Sequence, residues 1–353
     1  MRTPMGTRAV RRAGLGLAVV AVLAAATWVI AGGDDKGVTT AAEPSPGGSQ
    51  FATPVTAPSG GPSATPSGAS ASPSRPSASI SSTTTPIPRN SAAAPQSRGS
   101  FPDAGTTGPH STTRLKATSS TSLRVRKAGT VIDGVDIHGE ISVEADNVTI
   151  KNSRVINDGN WGIVQREDAT NLVVQDSEIR GNGKDRLEYA ILNLGGMMSV
   201  VRNDISNVSD SVSTNVGLIE DNYLHDPTYF DGDHTDMIQS NAGPPAGQRL
   251  VIRHNTVINR LDQTSAVALF QDFGVQHDAL IERNLLAGGS YALYGGSGDK
   301  GSTYNIKVIG NVFSREVHKL GGQYGPVAYW DGGRGNVWQD NVWADTGKPV
   351  PPS

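Results

Sequence analysis

A six-residue pattern recurs through the C-terminal two-thirds of this chain and limits what it can fold into more than any other feature. Ile252-Arg253-His254-Asn255-Thr256-Val257 has the same shape as Ile281-Glu282-Arg283-Asn284-Leu285-Leu286 and Val308-Ile309-Gly310-Asn311-Val312-Phe313. It returns around Asn203, Asn222 and Asn341, and around Ser153 and Ser177 with serine in the asparagine position. The eight key positions are separated by 24, 26, 19, 33, 29, 27 and 30 residues. A period that is regular on average but ragged in detail suits stacked units with fixed strands and variable loops.

Each repeat holds two or three short β-branched runs in which apolar and polar residues alternate, bounded by Gly, Asn and Asp. That alternation is strand periodicity. The runs are too few to close a sheet within one repeat. Stacking lets each strand pair with its copy one turn later, about 4.8 Å away. The spacing is too short for propeller blades of about 40 residues, and the fixed leucines of a leucine-rich repeat are absent. The chain therefore reads as an all-β, single-stranded parallel β-helix. The recurring Asn is expected to take a left-handed backbone at a tight corner and to bond its amide to the Asn above and below.

The remaining sequence is different in kind. Arg2, Arg8, Arg11 and Arg12 precede an uncharged run from Ala13 to Ala31, and Ala24-Ala25-Ala26 resembles a cleavage site. Residues 1–31 read as an N-terminal hydrophobic helix, either a cleaved signal peptide or an uncleaved signal anchor. Residues 32–112 are rich in Ser, Thr, Pro and Ala and read as a disordered linker, unable to bury enough apolar surface to fold. Residues 113–353 form the β-helix domain. These features predict a protein that is secreted or tethered to the cell surface, touches a membrane only through its N-terminal segment, and is a monomer. The net charge of −3 shows no nucleic-acid footprint, and the absence of cysteine excludes disulfides and thiolate metal sites.

Asp231-Gly232-Asp233-His234-Thr235-Asp236-Met237-Ile238-Gln239, Ala266-Val267-Ala268-Leu269-Phe270-Gln271-Asp272 and Gly325-Pro326-Val327-Ala328-Tyr329-Trp330 carry a likeness to a known family. The domain resembles the pectate-lyase-like superfamily of right-handed parallel β-helices, and more narrowly the repeat proteins exported by actinobacteria. The resemblance implies the fold and a right-handed coil. It leaves the chemistry open, because that superfamily holds lyases, hydrolases, epimerases, adhesins and members without known activity. Its pectate lyases pair calcium-binding aspartates with an arginine base. Here no arginine stands plainly beside the aspartates, since Arg253 belongs to the following strand. The paired aspartates of polygalacturonases are not evident either.

Function in such a fold belongs on the outside of one sheet and its flanking loops. One strand can be traced through Ile163, Ile191, Ile238, Leu269 and Leu293. If these point inward, Gln239, Phe270, Tyr294 and Trp330 form an outward row suited to stacking on sugar rings. Asp231 to Gln239 is the densest polar cluster and sits in the longest repeat. Asp233, His234, Asp236 and Asp272 are the candidate catalytic residues. Gln239, Phe270, Gln271, Tyr294, Trp330 and Asp331 are candidates for binding substrate. Asp231, Asp233 and Asp236 could supply oxygen ligands to calcium.

The sequence thus predicts an extracellular carbohydrate-active protein, a polysaccharide lyase or glycoside hydrolase. A non-catalytic glycan-binding or adhesion module using the same face is the alternative, and a structural spacer without a ligand is a third reading.

Overall fold

The computed structural model describes residues 101–118 and 122–352. The predicted export segment, and the part of the predicted linker before residue 101, lie outside the described residues. Among those described there are 28 strands and no helix.

The strands fall into three sheets, and every pairing between neighbouring strands is parallel. A first sheet of ten strands runs from Lys116–Ala117 to Val342–Trp343, a second of nine from Ser122–Val125 to Gly325–Ala328, and a third of nine from Val131–Asp133 to Val337–Gln339. The chain visits the third, first and second sheets in turn. Thus Leu250–Arg253, Thr256–Asn259 and Ser265–Leu269 make one coil, and each pairs with its equivalent in the next. This is the parallel β-helix expected from the repeat.

Alternation decides what each coil buries. In the third sheet Ile150, Val174, Val200, Ile219, Ile252, Ile281 and Val308 stand in one register and are fully buried. Ile179, Ile205, Leu224, Val257, Leu286 and Phe313 form the matching stack in the first sheet. Stacks of β-branched and leucine side chains exclude water along the coil axis and drive folding, at about 25 cal/mol per Å² buried.

The corner between the third and first sheets carries the recurring Asn, and it is built differently from the expectation. All eight key residues are at most 2% exposed. The left-handed residue is the one before each: Asn152, Asp176, Arg202, Asp221, His254, Arg283, Gly310 and Asp340 have φ between +46° and +65°. The Asn itself serves as a buried bracket. The Nδ2 of Asn203, Asn222, Asn255, Asn284 and Asn311 donates to the Oδ1 of the next Asn at 2.9–3.0 Å. Their backbone N–H groups donate to those same Oδ1 atoms. Ser177 Oγ accepts from Ser153 N–H at 3.1 Å, and Asn203 Oδ1 from Ser177 N–H, so the ladder is continuous from coil to coil. A further coil precedes these, with Gly134 at φ +69° and no Asn or Ser bracket; the pattern missed it for that reason.

Composition counted residues 101–112 with the linker, but they are folded. Phe101 is buried with Leu285 and Val312, its ring 5.7 Å from that of His254. Thr256 Oγ1 donates to Pro102 O at 2.6 Å, and Gly108 N–H to Arg202 O. One Phe in an otherwise polar stretch is too weak a signal to read as structure. At the other end, Val350 is buried and its carbonyl accepts from Trp338 Nε1 at 2.8 Å, so the proline-rich terminus folds back over the last coil.

Candidate active site

The second sheet carries the sequence-predicted residues, and its strands depart from simple alternation. In four of them two consecutive residues join the core: Ala190 and Ile191, Met237 and Ile238, Ala266 and Val267, Ala292 and Leu293. The residues flanking each pair are left for the outer side. Tyr189, Asp210, Asp236, Ser265 and Tyr291 occupy successive positions along one line. Ser213, Gln239, Ala268, Tyr294 and Ala328 occupy another.

The expected row is therefore only partly correct. Gln239 and Tyr294 hold the places assigned to them. Phe270 and Trp330 do not, because Val267 and Val327 stand in register with Ile238 and Leu293; Leu269 is buried in the core as expected but two places further along, and Tyr329 is exposed. A shift of two residues preserves alternation, so periodicity cannot choose between the registers. Trp330 packs edge-on against Trp338 instead. Phe270, just past its strand, still approaches Tyr294 at 5.5 Å between ring centroids. Tyr294 also meets Tyr291 at 5.6 Å and Tyr329 at 5.6 Å, and Tyr291 meets Tyr324 at 6.0 Å. The outcome is an aromatic cluster, with Tyr324 and Tyr329 67% and 60% exposed. Tyr291, Tyr324 and Tyr329 were not foreseen; Tyr324 sits in the Gly-rich loop before Gly325, held by Gln323 N–H on Gly289 O and Tyr324 N–H on Ser290 O, while Tyr291 and Tyr329 lie in and just past strands of the second sheet.

Beside the cluster lies a pair of buried carboxylates. Asp210 Oδ1 accepts the backbone N–H of Asp236 at 2.8 Å, and Asp210 Oδ2 accepts Gln239 Nε2 at 2.5 Å. Asp236 Oδ1 accepts Ser265 Oγ at 2.5 Å. Burial pushes the Asp236 carboxyl up to about 7, against the lowering effect of Ser265, with the charge of Asp272 adding to the rise. Burial also holds Asp210 well above the usual carboxylate range, and the neighbouring charge of Asp236 adds to it. Both effects disfavour a second negative charge in one dry site. The same burial and the same charges raise the phenols of Tyr189 and Tyr294. Nothing in its local sequence, Ser209-Asp210-Ser211, marks Asp210; only stacking brings it to Asp236.

The other predicted residues are spread out. Asp233 is buried and pairs through Oδ1 with Arg186 at 2.6 Å, while its Oδ2 has no hydrogen-bond partner. An arginine thus does stand beside the aspartates, brought from an earlier coil where local sequence could not show it. Arg186 also reaches Glu188 at 3.4 Å. Asp231 and His234 are exposed. Asp272 is on an exposed loop, raised by partial desolvation and opposed by Lys300 and His234. Gln271 spends its amide on the backbone of Gly296, Gly301 and Lys300. Asp331 caps its own turn, accepting from Gly333 N–H and Thr303 Oγ1. Asp231, Asp233 and Asp236 do not converge as the calcium expectation required. Among the described residues no group of three or more His, Asp or Glu side chains could hold a metal ion.

Against known proteins, no family model, no curated protein and no solved structure matches the chain.

Proposed function

We propose that this chain is an extracellular carbohydrate-active enzyme of the glycoside hydrolase type, working on the outer side of the second sheet. The coil is read as right-handed, since parallel crossovers are right-handed in about 98% of cases, and as pectate-lyase-like on the resemblance of its sequence segments alone. The observation that carries the reading is the juxtaposition of Asp210 and Asp236 with the aromatic cluster around Tyr294. A glycosidase needs two carboxyl groups in different protonation states across the scissile bond. Asp236, its carboxyl raised to about 7, suits the general acid, and Asp210, held by the Asp236 N–H and Gln239 Nε2, is its partner. Gln239 and Ser265 fix the pair, and the tyrosines offer stacking surfaces to sugar rings.

The lyase alternative has less support. Its base would have to be Arg186, whose guanidinium is engaged by Asp233 and Glu188 and so is held charged. A binding module without turnover is the second reading, favoured by one contrast: Tyr324 and Tyr329 are open to solvent while Asp236 is 2% exposed.

The full chain should be incubated with a panel of polysaccharides. New reducing ends without the ultraviolet absorbance of an unsaturated uronate are expected, and Asp236→Asn should abolish them without unfolding the protein. Retention on a glycan without any turnover would leave the binding module; silence across the panel would refute both.

A further inference from the structure

The charge around the aromatic cluster selects among carbohydrates. Glu188, Asp210, Asp233, Asp236, Asp272 and Asp299 form one electrostatically connected group. Arg186 and Lys300 accompany them as cations, with His234 also beside Asp272, and Arg186 is already engaged by Asp233 and Glu188. Even with Asp210 and Asp236 both neutral, the four remaining carboxylates outnumber Arg186, Lys300 and His234 together.

A second observation is independent of that count. Asp233 is 7% exposed and its Oδ2 is buried without a partner. Thr235 is fully buried two residues on, and its hydroxyl also has no partner. A buried carboxylate oxygen only accepts, so whatever satisfies it must donate. Sugar hydroxyls and ammonium groups donate. A uronate unit has donating hydroxyls too, but its carboxylate would bring a further negative charge into an acidic site, and that charge is what disfavours it.

Resting on the carbohydrate reading above, we infer that the substrate is a neutral or amino-bearing glycan that donates hydrogen bonds to Asp233, and not a uronate chain. This departs from the pectic substrates that the fold resemblance alone would suggest.

Binding of the full chain to three probes tests this by titration calorimetry at low and at moderate salt: a neutral β-glucan hexamer, a glucosamine hexamer and a galacturonate hexamer. One of the first two should bind more than about tenfold tighter than the galacturonate, a gap of about 1.4 kcal/mol. If the amino sugar is the tighter, its advantage should shrink with salt. Asp233→Asn and Asp272→Asn should narrow the gap, and circular dichroism should show the fold intact. Galacturonate binding as tightly as either other probe overturns the inference while leaving the carbohydrate reading in place. Failure of all three probes, together with failure of the wider polysaccharide panel, sinks the carbohydrate reading and this inference with it.

Discussion

Replacing Asn255 by Ala removes one rung from the middle of the corner ladder, and the structure allows its cost to be worked out. Asn255 Oδ1 accepts from the N–H and the Nδ2 of Asn222, both at 2.9 Å. Its Nδ2 donates to Ile219 O, Arg253 O and Asn284 Oδ1 at 2.9–3.0 Å. Some partners are covered without it: Asn222 Nδ2 keeps Val200 O and Glu220 O, and Asn284 Oδ1 keeps the N–H of residue 255. The Asn222 N–H is not, and a buried donor left unpaired costs about 1–3 kcal/mol. The cavity left by the amide adds roughly 1 kcal/mol. The bracket also spans the left-handed turn at His254, φ +52°, whose intrinsic cost the fold bears with or without the amide and which adds nothing to the loss. A loss of about 2–4 kcal/mol follows from the unpaired N–H and the cavity together. Asn255→Ser should lose about half of that, because Ser177 does the same work within this protein, accepting from Ser153 N–H and donating to Gln175 O. Urea unfolding followed by circular dichroism measures both. An Ala variant costing under about 1 kcal/mol, or a Ser variant as costly as Ala, would refute the bracket account.

Three further outcomes are expected. Asp236 titrates near 7 in the fold against about 3.9 unfolded, so the folded chain binds more protons between these values. Stability should therefore fall as pH rises from about 4 to about 7, by up to about 4 kcal/mol, and Asp236→Asn should flatten that slope in melts across pH. Arg186→Ala strips Asp233 of its ion-pair partner and should destabilise by roughly 1–3 kcal/mol in urea unfolding, whereas pairing Arg186→Ala with Asp233→Asn should recover part of the loss. Phe101→Ala should undock the segment before residue 113, speeding protease cleavage there while the sheets' circular dichroism is kept, with a loss nearer 2 than 5 kcal/mol because the site is peripheral.

The repeat was legible because it is local. Apolar residues at alternate positions, with Asn or Ser at one corner, state their own burial, and a stack of identical coils is the only arrangement that satisfies every copy at once. The strand type, the two or three runs per coil and the inter-coil asparagine bonds followed from that pattern. Three things did not. Alternation survives a slip of two residues, so only the paired strands show that Val267 and Val327 face inward and that Tyr329, rather than Trp330, joins the aromatic cluster. The left-handed conformation belongs to the residue before each Asn, where Arg202, His254 and Arg283 carry no compositional mark of it. The carboxylate pair unites Asp210 with Asp236 from neighbouring coils, and Asp233 draws Arg186 from an earlier one. Sequence determined what each coil is made of. Which side chains meet across coils was decided by strand register and loop length, which are set only when the coils stack.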